Sequence, residues 1–228
     1  APVRGAASMP VRAVAELGSV SDVELSLRTP SGNRKIGLVS VQLIELEGQE
    51  CAVSTFVDIT DRKRAEQRTR AQHEITRLLA EATHLGPEIP RLLETLARGF
   101  GWCAAELWQQ DAAGERLVCT GAWSETTPQI DSLSGGRTFR RGEGLPGRVW
   151  ADGESIWVSE RANDARFVRA REAAGLGLHS VLAVPVRSAL GVTGVLLFFG
   201  EHPAPPDEEQ MLTLVDLGVQ IGHFLDRE

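Results

Sequence analysis

The sequence predicts an α+β chain in three parts, and three observations predict it. Residues 22–57 hold three runs in which polar and apolar residues alternate, separated by turn residues, as antiparallel strands do. Residues 60–83 lose that alternation and take up helical spacing at Ile75, Leu78, Leu79 and Ala82. Beyond Trp102 paired strand patterns return, interleaved with short helices and closed by a longer amphipathic one. Strands grouped in hairpins rather than in strand–helix–strand alternation belong to the α+β class.

In the first part Val23, Leu25 and Leu27 alternate with Asp22, Glu24, Ser26 and Arg28, a half-buried strand. Thr29-Pro-Ser-Gly-Asn33 is a turn cluster. Lys35 to Leu46 and Cys51 to Val57 are the second and third strands, joined at Glu47-Gly48-Gln49. The third strand ends at Asp58-Ile-Thr-Asp61, where Asp and Thr oxygens suit the orphan amides of a helix start. The helix from Thr60 to about Thr83 is polar all round in its first half, as a helix bridging domains is. Gly86-Pro87 ends it, and Ile89 to Phe100 forms a second helix with Leu92, Leu93 and Leu96 on one face.

The third part opens with a hairpin, Cys103–Gln109 and Glu115–Trp123, turning at Asp111-Ala-Ala-Gly114. A loop rich in Ser, Gly and Thr runs from Thr126 to Arg141. A short helix at Leu145–Trp150, a strand at Ser155–Val158 and a helix at Ala165–Ala174 follow. Strands His179–Arg187 and Val192–Phe199 turn tightly at Ala189-Leu-Gly191. After Pro203–Pro206, Asp207 opens the last helix, which runs to about Leu225.

Composition excludes several classes. A net charge of -7 opposes a nucleic-acid or anionic-membrane surface. The basic run Arg62-Lys63-Arg64, Arg68, Arg70 carries interleaved Asp61 and Glu66 and no aromatics for base stacking, so it reads as a solvated helix face. No apolar run approaches the roughly 20 residues of a membrane span. The first ten residues lack the apolar core of a signal peptide. Cys51, Cys103 and Cys119 lack C-x-x-C spacing, which points to a reducing compartment, the cytoplasm, rather than to a disulfide or zinc framework.

Gly142-Glu-Gly-Leu-Pro-Gly147 satisfies G-x-G-x-x-G, and Glu160 stands near the position of a ribose-binding acid. The context opposes a dinucleotide site. Thr138-Phe-Arg-Arg141 is not a buried apolar strand, and the helix after the glycines is too short for a parallel crossover. No metal-ligand spacing, P-loop or nucleophile elbow appears. Ser180 beside His179 is no dyad, because strand neighbours point to opposite faces. His73, the only helical His followed by Glu, reads as helix surface.

Two resemblances organise these parts. Asp58-Ile-Thr-Asp-Arg-Lys-Arg-Ala-Glu66 resembles the exit of a PAS sensor domain, where a last strand runs into a signalling helix. Too little chain precedes Val23 for the rest of such a domain, so residues 1–59 resemble only its C-terminal strands and 60–83 its signalling helix. Phe139-Arg-Arg-Gly-Glu-Gly-Leu-Pro-Gly-Arg-Val-Trp150, Leu178-His-Ser-Val-Leu-Ala-Val-Pro-Val186 and Gly194-Val-Leu-Leu-Phe-Phe199 strongly resemble a GAF domain, spanning about 75–226. That likeness implies a central antiparallel sheet with helices on its faces.

The GAF resemblance implies a small-molecule pocket between the sheet and the segments crossing it, or a purely dimerising relay. Trp123, Phe139, Trp150, Phe167, His179 and Leu182 are the candidate lining residues. Set against them, the bland reading is a filled core. Cyclic-nucleotide binding is put in doubt, since Gly200-Glu201 stand where that subclass carries Asn-Lys. No Cys lies beyond Gly121, which excludes covalent bilin attachment in that region and methionine-sulfoxide reduction by pocket cysteines. A haem would take His179 or His84, though a lone strand-edge His is more often simply hydrogen-bonded. Met211, Leu214, Val215, Gly218, Ile221, Gly222 and Leu225, with Ile75, Leu78, Leu79 and Ala82, form stripes for a parallel homodimer bundle or for packing on their own sheet. The expected role is a sensory fragment of a signal transducer, a histidine kinase or cyclic-di-nucleotide enzyme, with any catalysis outside this chain. A ligand-free spacer and a stand-alone redox enzyme using Cys103 or Cys119 are the alternatives.

Overall fold

The computed structural model describes residues 19–29, 34–125, 130–159, 167–203 and 205–227. The turn expected over 30–33, the start of the loop at 126–129, Glu160 and the helix start expected at 165–166 lie outside these. The chain divides into two compact units, residues 1–66 and 67–228.

The first unit is an antiparallel three-stranded sheet in the order β1 (Ser19–Arg28), β2 (Arg34–Leu46), β3 (Gln49–Asp58). Leu46 pairs with Gln49 across the two-residue turn Glu47-Gly48, where both φ angles are positive (52° and 78°). That is the primed turn whose twist suits a hairpin, and glycine takes its second position without cost. Val23, Leu25 and Leu27 are half-buried while Asp22, Glu24 and Ser26 are exposed, as the alternation predicts. Phe56 lies directly over Gly37, where any Cβ would meet its ring.

Asp58, Ile59 and Thr60 close this sheet. Thr60 Oγ1 accepts from Ile36 N–H at 2.9 Å and donates to Asp58 Oδ1 at 2.5 Å, and Asp58 Oδ1 also accepts from Thr60 N–H. Ile59 N–H donates to Ile36 carbonyl. The Lys35 ammonium, 2.8 Å from Asp58 Oδ2, and the two Thr60 donors hold the Asp58 carboxyl well below the usual carboxylate range. Helix α1 (Thr60–Glu81) starts from this clasp.

The second unit is a six-stranded antiparallel sheet in the order β6-β5-β4-β9-β8-β7. Its strands are β4 (Ala104–Gln110), β5 (Leu117–Ser124), β6 (Thr138–Phe139), β7 (Ile156–Ser159), β8 (Ser180–Ser188) and β9 (Gly191–Gly200). Its helices are α2 (Ile89–Phe100), α3 (Ile130–Ser134), α4 (Gly144–Asp152), α5 (Ala170–Gly175) and α6 (Glu208–Leu225). The loop expected at 126–141 thus holds α3 and edge strand β6, each too short to show a period.

Strand alternation sorts the sheet into two apolar layers. On one face Ala105, Leu107, Leu182, Val184, Val186, Leu196 and Phe198 pack with the C-terminal half of α1, with α2 and with α6. On the other Ala104, Trp108, Val181, Ala183, Val195, Leu197 and Phe199 pack with α3, α4 and α5. Helix α2 spans the residues its sequence predicts, and Gly101 at φ 76° stops it with its N–H returned to Ala97 and Arg98 carbonyls. Asp207 caps α6 by accepting from Gln210 N–H at 2.9 Å, and Arg68 on α1 reaches Asp207 at 2.5 Å. Gly218 and Gly222, one turn apart, lay the α6 backbone against the Pro185 and Arg187 carbonyls of β8, where any Cβ would collide.

Candidate functional site

The face carrying α3, α4 and α5 concentrates polar chemistry inside an apolar layer. Glu106 sits two residues from both Ala104 and Trp108 on central strand β4, so all three point to this face. Its side chain is fully buried, and so is that of Arg169, which immediately precedes α5. Arg169 Nη1 donates to Glu106 Oε1 at 3.0 Å and Nη2 to Oε2 at 2.9 Å, a two-pronged pair. Trp108 Nε1 donates to Glu106 Oε2 at 2.7 Å, and Arg169 Nη1 also reaches the Leu133 carbonyl at 3.1 Å. The guanidinium lies 5.3, 5.7 and 5.8 Å from the ring centres of Trp108, Phe139 and Phe199. Arg169 Nε has no acceptor among the described residues, and neither has the buried Trp150 Nε1 on the same face.

The Gly142–Gly147 segment frames this face as a self-closing turn. Gly142 (φ 81°) donates its N–H to the Gly147 carbonyl at 2.7 Å, and Glu143 Oε2 accepts from Arg140 N–H at 2.9 Å. Gly147 passes so close to the Arg140 carbonyl that a Cβ would collide with it. The amide of Gly142 is therefore spent within the loop, unlike that of a phosphate cradle. Arg141 stacks 4.6 Å from the Trp150 ring centre.

A second feature lies on the opposite face. Thr76, Leu79, Ala80, Ala82 and Thr83 of the α1 end and Gln220, His223, Phe224, Asp226 and Arg227 of the α6 end line an open groove of about 760 Å³. Thr76 Oγ1 and Gln220 Oε1 span the two helices at 3.4 Å. Among the described residues no cluster of side chains suits a metal ion, and no helix is long and apolar enough to cross a membrane.

A family model described as GAF domain matches residues 89–226. The chain belongs to the GAF domain family. Among solved structures, the GAF domain of nlh2 from A. aeolicus superposes with a TM-score of 0.60 at 18% identity, covering 72% of this chain and 99% of that one. The GAF domain of a phosphoenolpyruvate-protein phosphotransferase from Coxiella burnetii gives 0.60 at 19% over 72% and 95%. Free methionine-R-sulfoxide reductase from Neisseria meningitidis, solved with its substrate, gives 0.58 at 21% over 72% and 90%. At these identities the likeness is one of fold. A curated relative, the sensor protein TdiS of Thauera aromatica, is 42% identical over 62 residues, which is 26% of this chain and 11% of that protein. The chain thus spans about a tenth of that relative.

The GAF fold separates the six residues singled out for the pocket. Phe139, Trp150 and Phe167 join the face that holds Arg169 and Glu106. Leu182 and Trp123 belong to the helical face instead, with Arg98 stacked 5.3 Å from the Trp123 ring centre. Residue parity decides this, since Leu182 lies between Val181 and Ala183 on β8 and must point the other way. His179 is exposed just before β8, its N–H bonded to the Gly200 carbonyl.

Of the stripe residues on the flanking helices, Ile75, Leu78, Leu79, Leu214 and Ile221 are buried in the GAF core, and Ala82, Met211, Val215 and Leu225 are partly exposed beside it. Cys103, just before β4, and Cys119, on β5, both adjoin the face of Arg169. Burial pushes their thiols up to about 12 and about 11.

Neither Glu106 nor Arg169 stands out as a site residue in the sequence. The signal for Glu106 was a lone carboxylate flanked by Ala104, Ala105, Leu107 and Trp108 in one strand. Arg169 carried none, because its partner is 63 residues away.

Proposed function

We propose that this GAF domain is a sensory and regulatory module of a larger cytoplasmic signal transducer, such as a histidine kinase or a cyclic-di-nucleotide enzyme. It works as a homodimer through α1 and α6, and catalysis lies in other domains. The observation that carries this reading is the pairing of the domain's first and last helices on one face of its sheet. Arg68, well inside α1, reaches Asp207 at the start of α6, Thr76 and Gln220 meet further on, and a groove lies between the helix ends. A shift of the incoming helix is therefore felt by the outgoing one. The similarity to the sensor protein TdiS supports the sensory role. The three-stranded sheet with its Asp58–Thr60 clasp is read as the closing strands of a PAS domain. Thiols raised to about 12 and 11 stay protonated at neutral pH, which opposes a redox enzyme built on Cys103 or Cys119.

The dimer surface is the outward side of the two helices, with Ala80 and Leu212, the latter 63% exposed. Light scattering on the full chain is expected to give a dimer at micromolar concentration. Ala80→Glu with Leu212→Glu is expected to give a folded monomer. A monomeric parent chain at high micromolar concentration overturns the relay. The second reading, a ligand-free spacer, draws on the burial of Trp108 and Trp150. Native mass spectrometry separates the two, since a retained small molecule rejects the spacer.

A further inference from the structure

Resting on the reading of this GAF domain as a ligand-sensing module, we propose that Arg169 is the anchor of a binding site for a small organic carboxylate with a flat apolar body. The argument starts from how the guanidinium is used. Its end-on edge, Nη1 and Nη2, is taken up by Glu106. Its remaining edge is headed by Nε, which is buried and has no acceptor among the described residues. A guanidinium clamped at one edge by a carboxylate presents its Nε–Nη2 edge in a fixed plane, the geometry that receives a second carboxylate with two parallel bonds.

The unmet hydrogen-bonding capacity around it points the same way. Trp150 Nε1, in the same apolar layer, is also buried without an acceptor among the described residues. An indole N–H and a guanidinium N–H are donors only. Among the described residues this face lacks acceptors, which a carboxylate supplies and a cation does not. The Glu106 charge is already matched by Arg169 and by Trp108 Nε1, so it offers little to a cationic ligand.

The surroundings define the rest of the molecule. Trp108, Phe139 and Phe199 stand around the guanidinium, and Phe167 lies 6.3 Å from Phe199 between ring centres. Once that layer parts, these rings offer faces on which a planar apolar body can stack. Glu106 acts as a positioning residue that holds the guanidinium plane. Arg169 is fully buried, so a ligand reaches it by parting the aromatic layer, and association is slow.

The test uses the intact chain and four probes: benzoate, acetate, the neutral isostere benzamide and the cation benzamidine. Binding is read by tryptophan fluorescence and calorimetry. Benzoate is expected to bind saturably, acetate more weakly, benzamide at least tenfold more weakly than benzoate, and benzamidine not at all. Arg169→Lys is expected to weaken benzoate at least tenfold. Should that variant misfold, the paired change Glu106→Leu with Arg169→Met removes both charges together and is expected to abolish benzoate binding. Benzamide or benzamidine binding as tightly as benzoate overturns the carboxylate class yet leaves a ligand-sensing domain. Benzoate binding unchanged in both variants overturns the site. No saturation by any probe at tens of millimolar overturns the inference, while the dimer measurement above stands or falls separately.

Discussion

Replacing Arg169 by Met tests how the buried ion pair is balanced. The substitution removes two charge-assisted bonds to Glu106 and leaves that carboxylate with Trp108 Nε1 as its partner. Charged hydrogen bonds contribute about 1.5–3 kcal/mol each, so two of them bracket about 3–6 kcal/mol. Breaking a buried pair from one side costs about 3–5 kcal/mol, because an uncompensated charge stays behind. The expected loss is therefore about 3–5 kcal/mol, a large part of the roughly 5–15 kcal/mol of a typical domain. Adding Glu106→Leu removes the stranded charge. An exchange of a buried pair for apolar groups is neutral or stabilising by about 1–4 kcal/mol. Against it, Trp108 Nε1 loses its acceptor at about 1–3 kcal/mol. The double variant should thus return to within about 3 kcal/mol of the parent. Urea unfolding followed by tryptophan fluorescence is the assay. All five tryptophans lie between 102 and 157, so the signal reports the GAF unit alone. A loss below about 1 kcal/mol for Arg169→Met, or a double variant that sums the two single losses, refutes the reasoning.

Other perturbations have equally definite outcomes. Gly222→Ala adds a methyl against the Arg187 carbonyl and should destabilise the GAF unit by about 1–3 kcal/mol despite the better helix propensity of alanine; an unchanged urea midpoint refutes the close contact. Cys103 and Cys119, with thiols at about 12 and about 11, should resist alkylation at pH 8 in the native chain and react once it is unfolded. Their folded values stand above the ordinary 9.0, so the folded state holds these protons more tightly. Their contribution to stability is whole below pH 9 and falls as pH climbs through about 11 and 12, a decline that alanine at both positions should flatten. Thr60→Val removes the acceptor of Ile36 N–H and a donor to Asp58, and should speed hydrogen exchange at Ile36 without altering the tryptophan signal.

Much of this fold was legible because local pattern and final environment agree. The alternation at Val23, Leu25 and Leu27 survives as half-buried positions, and Ile89 to Phe100 is one helix stopped by the glycine that follows it. The site was less legible. Phe139 and Leu182 look equally fit to line a cavity as residue types, yet they lie on opposite faces of the sheet. The apolar stripe at Ile75, Leu78 and Leu79 suits a partner helix as well as a sheet, and helical spacing alone does not choose. The edge strand β6 is two residues long and owes its form to pairing with Leu117 and Val118. Arg169 looks like one more charge in a polar stretch until the fold brings it to a carboxylate on β4.

The contact of α6 with β8 at Gly218 and Gly222 has a mechanical consequence. Most helices ride on a layer of side chains whose rotamers absorb small displacements, like a rubber mount. Here bare backbone rests on bare carbonyl, so the mount is missing. A fraction of an ångström imposed along the helix reaches the strand undamped, and one imposed on the strand returns to the helix. Two glycines thus make the last helix of this domain stiff against the strand it lies on.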